Sequence, residues 1–182
     1  MPTLIVVSGP PGTGKTTLAH ALAKEIPCPV ISRDELKEGM AHGQPEFEGG
    51  RGDPLSTRTL PLFFGVLRTL LESGVTVVAE AAFQDRLWRP GLEPLAKLAQ
   101  IRVVQCRVDH AVSYERAVRR STESEHHAKA HGDSTLDKSP EDWSRAFESF
   151  ERVSISAPSI DVDTTDGYAP DLAAIVQFID RR

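Results

Sequence analysis

The sequence contains few cysteines and no long apolar run. Its two cysteines, Cys28 and Cys106, lie far apart and lack the spacing of metal ligands, which excludes a disulfide framework and a cysteine-based metal centre. Every apolar stretch is far shorter than the roughly 20 residues that a membrane-spanning helix needs. Met1 and Pro2 lead into an apolar run without a basic leader. We therefore expect a reduced, cytoplasmic setting and no membrane partner.

An excess of positive charge is also missing. The chain has 21 Lys and Arg residues against 26 Asp and Glu residues, a net charge of -5. Clustered basic side chains supply much of the affinity for a nucleic-acid backbone, so this balance argues against a long polyanion as partner and leaves room for a local basic cleft. The length of 182 residues and the 40% hydrophobic content fit one globular domain over residues 1–182.

Short runs rich in β-branched residues alternate with longer amphipathic stretches. Strands are predicted at 3–7, 29–31, 75–79, 101–108 and 159–162, and helices at 16–24, 35–40, 55–71, 87–98, 111–120, 141–152 and 171–179. Strands separated by helices need crossover connections, which makes the sheet parallel and covered on both faces. The pattern predicts an α/β fold with three layers around a five-stranded parallel sheet. Two polar stretches, at about 42–54 and 119–139, are predicted to be mobile surface loops, a substrate loop and a lid.

A glycine-rich segment follows the first predicted strand and opens the first predicted helix. It matches the P-loop pattern GxxxxGK[ST] and reads Gly9, Pro10, Pro11, Gly12, Thr13, Gly14, Lys15, Thr16, with Thr17 next in the helix. Glycines let backbone N–H groups turn towards phosphate oxygens, and the helix N-terminus adds a favourable dipole. Lys15 is expected at the β- and γ-phosphates and the Thr16 hydroxyl on magnesium. The motif predicts a P-loop NTPase fold that binds ATP with Mg²⁺.

Asp34 follows the second predicted strand, at the sheet edge where ligands of parallel sheets bind. Ser32 and Glu35 have the spacing of a capping box, which places Asp34 in the first turn of the next helix. An acid in a first turn is favoured by the helix dipole alone and needs no function. Beside a P-loop, however, it is also placed to accept a proton from a substrate hydroxyl during phosphoryl transfer.

The string Ile31-Ser32-Arg33-Asp34-Glu35-Leu36-Lys37 with the P-loop resembles small P-loop kinases of the AAA_33 type. It is similar to the kinase domain of 5'-polynucleotide kinase and, more loosely, to chloramphenicol phosphotransferase, zeta toxin and gluconate kinase. The resemblance implies that Asp34 is the base towards the acceptor, and that Arg33 and Lys37 bind substrate. The polynucleotide kinase has a basic substrate-holding residue at the position of Lys37. Lysine lacks the bidentate grip of arginine, which argues against a nucleic-acid 3'-phosphate as the handle.

Further charged residues are expected around the triphosphate. Glu80 follows the third predicted strand and is a candidate to bind substrate or to orient magnesium through water, or it is simply a solvated strand end. Arg116, Arg119 and Arg120 end a helix before the lid, where cations can close over the phosphates. Arg116 and Arg120 share one helical face and are the predicted catalytic pair. A helix C-terminus also favours arginine for dipole reasons alone.

Two further groups are weaker candidates. Asp163 and Thr164, after the last predicted strand, resemble the segment that lines the adenine in these kinases. Within the lid, His126, His127 and His131 include a pair spaced for one helical face and formally able to bind a metal. A flexible polar loop is not a preorganised site, however, and no cysteine accompanies them.

Three functions compete for a P-loop chain of this kind. The first is an ATP-dependent kinase that phosphorylates a hydroxyl of a small molecule or a nucleic-acid end. The second is an AAA-type ATPase without a phosphoacceptor, although the third strand shows no paired Asp-Glu. The third is a GTP-dependent switch, whose Asn-Lys-x-Asp signature is impossible here because the chain has no asparagine. The acceptor is left open and is expected to be selected by 42–54 with Thr57 and Arg58. The oligomeric state is also left open.

Overall fold

Helices and strands alternate along the chain. The computed structural model describes residues 1–44, 46–50, 52–123, 125–132 and 139–181, and the side chains at 125 and 126 lie outside this description. The strands are β1 (Thr3–Ser8), β2 (Val30–Ser32), β3 (Val77–Ala81), β4 (Gln100–Arg107) and β5 (Ser159–Asp163). The helices are α1 (Lys15–Glu25), α2 (Arg33–His42), α3 (Pro54–Glu72), α4 (Asp85–Leu95), α5 (His110–Glu123), α6 (Glu125–His131), α7 (Pro140–Glu148) and α8 (Leu172–Asp180).

The strands form one parallel sheet in the order β2-β3-β1-β4-β5. β1 lies in the middle, so the chain leaves it at the centre of the carboxyl edge and turns directly into α1. β3 and β2 lie on one side of β1, and β4 and β5 lie on the other. A parallel sheet that extends to both sides of its first strand in this way has a crevice at its carboxyl edge. The prediction of an α/β fold with a five-stranded parallel sheet is confirmed.

The side chains of β1 alternate between two hydrophobic cores. Leu4 and Val6 point into a core with α3 and α4, whereas Ile5 and Val7 point into a core with α1 and α8. All four are fully buried, as expected for a central strand covered on both faces. Large contributors to the two cores are Phe63, Leu67, Trp88 and Leu92 on one side, and Leu18, Leu22, Ile175 and Ile179 on the other. The three-layer prediction is therefore confirmed.

Some element boundaries differ from the sequence prediction. β3 runs to Ala81 instead of ending at Ala79, because its last residues pair with Ser8 of β1 and Ser32 of β2. Glu80 thus lies inside a buried strand and not after it. α7 ends at Glu148, before the predicted residue 152. Among the helices in the described ranges, none is long and apolar enough to cross a membrane.

Candidate active site

The segment between β1 and α1 is a tight loop whose glycines are required by its backbone. Gly12 and Gly14 have φ angles of 77° and 70°, which side chains of L-residues rarely permit. A Cβ atom at Gly12 would also lie 2.4 Å from the carbonyl oxygen of Ser113. Gly14 caps the N-terminus of α1, so the helix dipole points into the loop.

The loop is held in shape by hydroxyl groups. Thr13 Oγ1 donates to the carbonyl oxygen of Pro10 at 2.8 Å, within the loop itself. Ser113 on α5 donates to Pro11 O at 2.7 Å, and Thr164, after β5, donates to Thr13 O at 2.9 Å. Because the anchors come from elements distant in sequence, the folded sheet preforms this phosphate cradle.

Lys15, the first residue of α1, is buried at the base of the cradle with 6% exposure. Its Nζ donates to Pro10 O at 2.9 Å. Burial lowers the pKa of Lys15, while the negative charges of Glu80 and Asp34 oppose that shift. The lysine therefore faces two carboxylates across the carboxyl edge of the sheet.

Glu80 connects the cradle with β2. Its Oε2 accepts a hydrogen bond from Ser32 at 2.8 Å and one from the Thr16 hydroxyl at 3.2 Å. Burial raises the pKa of Glu80, and the charge of Lys15 opposes that shift. A threonine hydroxyl beside a carboxylate oxygen is a hard-oxygen donor set of the kind that Mg²⁺ prefers. The residues present therefore fit a magnesium ion at Thr16, with Glu80 next to it.

Asp34 lies in the first turn of α2. Ser32 caps this helix by accepting a hydrogen bond from the backbone N–H of Glu35, as the capping box predicts. Arg33 Nη1 donates to Asp34 Oδ1 at 2.9 Å. Burial works to raise the pKa of this carboxyl, but the electrostatic effects of His131, Arg33 and Lys15 together outweigh burial and hold the pKa below its ordinary value. The charge of the cradle lysine, Lys15, therefore helps to keep Asp34 ionised.

A cavity of about 460 Å³ opens on the other side of the cradle. The residues around it include Gly12, Gly14, Thr17, Arg116, Arg119, Arg120, Thr164 and Tyr168. Its position beside the P-loop suits a nucleoside attached to phosphates in the cradle. Tyr168 and Gly167 were not found from the sequence, because the segment after β5 carries no motif that singles them out.

The candidate lid arginines differ in their contacts. Arg116 Nη2 donates to the carbonyl oxygens of Thr164 and Thr165 at 2.9 and 3.0 Å, which ties α5 to the segment after β5. Arg120 is exposed at the cavity, close enough to Lys15 for its charge to lower the pKa of that lysine further. Asp163 does not line the cavity, since its carboxylate accepts a hydrogen bond from the N–H of Thr165 at 2.9 Å.

Residues 4–139, about three quarters of the chain, match the model of the AAA domain family designated AAA_33. The chain belongs to this family. Solved structures with the same fold include a presumed kinase from Chloroflexus aurantiacus, with a TM-score of 0.83, 27% identity, and coverage of 98% of this chain and 96% of that one. The sequence matches no curated protein significantly.

Two more distant structures share the fold of this AAA_33 member. An APS kinase from Mycobacterium tuberculosis has a TM-score of 0.64 at 13% identity, covering 99% of this chain and 98% of its own. A gluconokinase from Sinorhizobium meliloti has a TM-score of 0.57 at 17% identity, covering 98% and 89%. The resemblance to small P-loop kinases is confirmed, and the chain has a nucleotide-binding P-loop fold of the kinase type.

The structure places Lys37, a predicted substrate residue, in a buried ion pair of this AAA_33 chain. Its Nζ donates to Asp53 Oδ2 at 2.6 Å, and the two side chains are only 2% and 7% exposed. Asp53 also caps α3 by accepting the N–H of Ser56. The buried pair therefore joins α2 to the start of α3. The predicted substrate residues Thr57 and Arg58 are exposed there, with no side-chain hydrogen bond or ion pair within the described residues.

The part of the predicted lid that the structure describes is largely helical in this AAA_33 chain. α5 continues to Glu123, and α6 covers Glu125–His131, where a polar loop was expected. Ala130, which is fully buried, supplies the small apolar contact of α6 that the polar composition of this segment conceals. His127 and His131 lie beside Glu38 of α2. The side chain of His126 and residues 133–138 lie outside the described part of the chain.

Proposed function

We propose that this protein is an ATP- and magnesium-dependent kinase that transfers the γ-phosphate to a hydroxyl of a small molecule or a nucleic-acid end. The observation that carries the proposal is that Lys15, Glu80 and Asp34 lie at one edge of the sheet. Glu80 and Asp34 each affect the pKa of Lys15, and Lys15 and Asp34 each affect the pKa of Glu80. A phosphate-binding cation and a carboxylate across one cleft are the two parts that phosphoryl transfer to a hydroxyl needs.

The nucleotide side of the reaction rests on the cradle and the cavity beside it. Backbone N–H groups of the loop and the Lys15 ammonium bind the phosphates, and Thr164 and Tyr168 border the nucleoside. Thr16, with Glu80 behind it, would hold magnesium, which when bound neutralises charge on the phosphate oxygens. In support, the APS kinase structure that shares this fold contains AMPPNP, an ATP analogue, together with APS.

The acceptor side rests on Asp34. Its carboxylate takes the proton of the acceptor hydroxyl as the oxygen forms a bond to the γ-phosphorus. The bond between that phosphorus and the bridging oxygen breaks at the same time, and its electron pair leaves with ADP. Arg120, at the mouth of the cavity, adds positive charge where negative charge spreads over the moving phosphoryl group.

An AAA-type ATPase that needs no phosphoacceptor is the second candidate, and the AAA domain description of the family favours it. The end of β3 speaks against it, because Glu80 is flanked by Ala79 and Ala81 and is not part of an Asp-Glu pair. ATP hydrolysis of the same rate with and without an acceptor panel would support the ATPase. ADP release that appears only with one acceptor class supports the kinase.

The catalytic role of Asp34 is tested by Asp34→Asn. Turnover with the identified acceptor is expected to fall about 10²–10⁴-fold, because the amide cannot accept the proton, while ATP affinity stays nearly unchanged. The readout is ADP release across a panel of metabolites and oligonucleotides, with ATP binding measured by calorimetry. Glu35→Gln is the matched control, since the Glu35 carboxylate faces His20 on the protein surface. Turnover of Asp34→Asn equal to that of Glu35→Gln would refute the assignment.

A further inference from the structure

A carboxylate and two imidazoles meet where α2 packs against α6. His127 Nδ1 lies 3.0 Å, and His131 Nε2 lies 3.5 Å, from the same oxygen of Glu38, Oε1. Their possible ligand atoms all lie within 4.8 Å of one another. His127 and His131 are four positions apart, so the helical conformation of α6 places them on one face.

The cluster is built on a fixed backbone. Gly49 N donates to the carbonyl oxygen of Lys129 at 2.8 Å, and a Cβ atom at Gly49 would lie 2.1 Å from Ala130 O. Ala130 also packs with Ala41 and Leu55 in a small core between α2, α3 and α6. The side chains of Glu38, His127 and His131 are 31%, 15% and 16% exposed. These contacts orient the donor atoms before any ligand arrives.

One donor atom of this cluster has a long contact instead of a hydrogen bond, since His131 Nε2 lies 3.5 Å from Glu38 Oε1. His131 Nε2 is buried and makes no hydrogen bond within the described residues. A buried ring nitrogen without a hydrogen-bond partner costs free energy unless something else binds it. The nearby carboxylate and second imidazole are the other donors that a metal ion would use.

We propose that Glu38, His127 and His131 bind a divalent transition metal, with Zn²⁺ the best match. Zinc bonds of about 2.0–2.1 Å in a tetrahedron place neighbouring donor atoms about 3.3 Å apart, and two of the observed separations are 3.0 and 3.5 Å. Two imidazoles and one carboxylate form a known zinc set that leaves a fourth position for water. Magnesium and calcium prefer all-oxygen sets, so the nucleotide's metal does not compete well here.

The ion would fasten α6 to the helix that carries Asp34. Glu38 lies one helical turn after Asp34 on α2, so the metal would fix α6 beside the candidate acceptor cleft. The site does not rest on the proposed kinase activity, because none of its ligands belongs to the cradle.

The test is a zinc titration of tag-free protein without nucleotide, followed by isothermal calorimetry. One saturable site per chain is expected, and Glu38→Gln and His131→Gln should each weaken it by more than about 100-fold, since even supporting residues around a metal site cost 10–100-fold. His20→Gln is the matched control. His20 also contacts a glutamate, Glu35, at 2.7 Å, but no third ligand of the described residues completes a site there. That variant should bind zinc like the parent protein.

Zinc should also slow amide hydrogen exchange in α6, and only in proteins that keep the three ligands. If a variant fails to fold, X-ray absorption at the zinc edge of the parent protein decides, because two imidazoles per bound zinc support the site and fewer overturn it. The absence of saturable binding would overturn it too. So would binding that persists in both folded ligand variants, in which case Glu38 and its histidines form hydrogen bonds and ion pairs only.

Discussion

The phosphate cradle and the region where α2, α3 and α6 meet flank the same edge of the sheet but are held by different forces. The cradle is fixed by hydroxyl groups on carbonyl oxygens, such as those of Ser113 and Thr164. In the α2–α6 region, the contacts are charged, namely the Lys37–Asp53 pair and the two histidines beside Glu38.

One side of the cleft is therefore rigid, whereas the geometry of the other side depends on the charges of its side chains. Neutral hydrogen bonds do not depend on pH or on a bound cation, so these two anchors of the cradle keep their geometry. Buried charges are stable only while they are paired, and losing one partner is costly. Under the proposed function, the nucleotide side would be preformed and the acceptor side would respond to its ionic contacts.

The largest effect is expected from Lys37→Met. Removing the ammonium leaves the buried carboxylate of Asp53 without its counter-charge, and losing one partner of a buried pair should cost about 3–5 kcal/mol in the free energy of unfolding. Urea denaturation of the variant and of Lys24→Met measures this, because Lys24 is exposed on α1 and its replacement should change stability by less than about 0.5 kcal/mol. The double variant Lys37→Met/Asp53→Asn should recover part of the loss, since asparagine still caps α3.

If the free energy of unfolding of Lys37→Met were within about 1 kcal/mol of that of the parent protein, the contrast between the two regions would not hold. Losing one partner of a buried ion pair typically costs several times more. The α2–α6 region would then be held by its apolar contacts alone, chiefly Ala41, Leu55 and Ala130.

Lys15→Met should have the opposite signature. Catalytic efficiency is expected to fall about 10²–10³-fold, the usual loss for one electrostatic donor in an active site. Stability should stay the same or rise, because burial already disfavours the lysine charge and lowers its pKa. Both effects are measured on one preparation, by ADP release and by thermal unfolding. A loss of stability as large as that of Lys37→Met would show that the cradle also depends on a charge.

The two regions also differ in what their sequence could reveal. The P-loop and the capping box before Asp34 are local patterns, in which spacing alone dictates geometry, and both were predicted at the residues where they occur. The pairing of Lys37 with Asp53, and of Glu38 with two histidines 89 and more residues away, depends on how helices pack. No local pattern encodes such contacts.

The helices found where a loop was predicted have a related explanation. Residues 121–131 were assigned to a loop because they lack an apolar stripe, but α6 packs into a core through Ala130, and its backbone contacts Gly49. A helix that packs through one alanine and through its backbone leaves hardly any hydrophobic pattern in the sequence. Glu80 was placed correctly near the cradle, although its role in joining Thr16 to Ser32 required the register of three strands.

The smallest effect is expected from the arginines of α5, which test whether the cradle side is preformed to its rim. Arg120→Ala should lower kcat about tenfold to a hundredfold. This is at or below the usual loss for removing one hydrogen-bond donor from an active site, because the Arg120 side chain is exposed. Arg116→Ala should instead raise the KM for ATP, since Arg116 holds the carbonyl oxygens of Thr164 and Thr165 at the cavity. Arg68→Ala is the control, as Arg68 on α3 is exposed and approaches Glu72 at 3.7 Å, away from this cavity. If the Arg116 and Arg120 variants both change kcat alone, these two arginines close over the phosphates as one unit, and this part of the nucleotide side is not preformed.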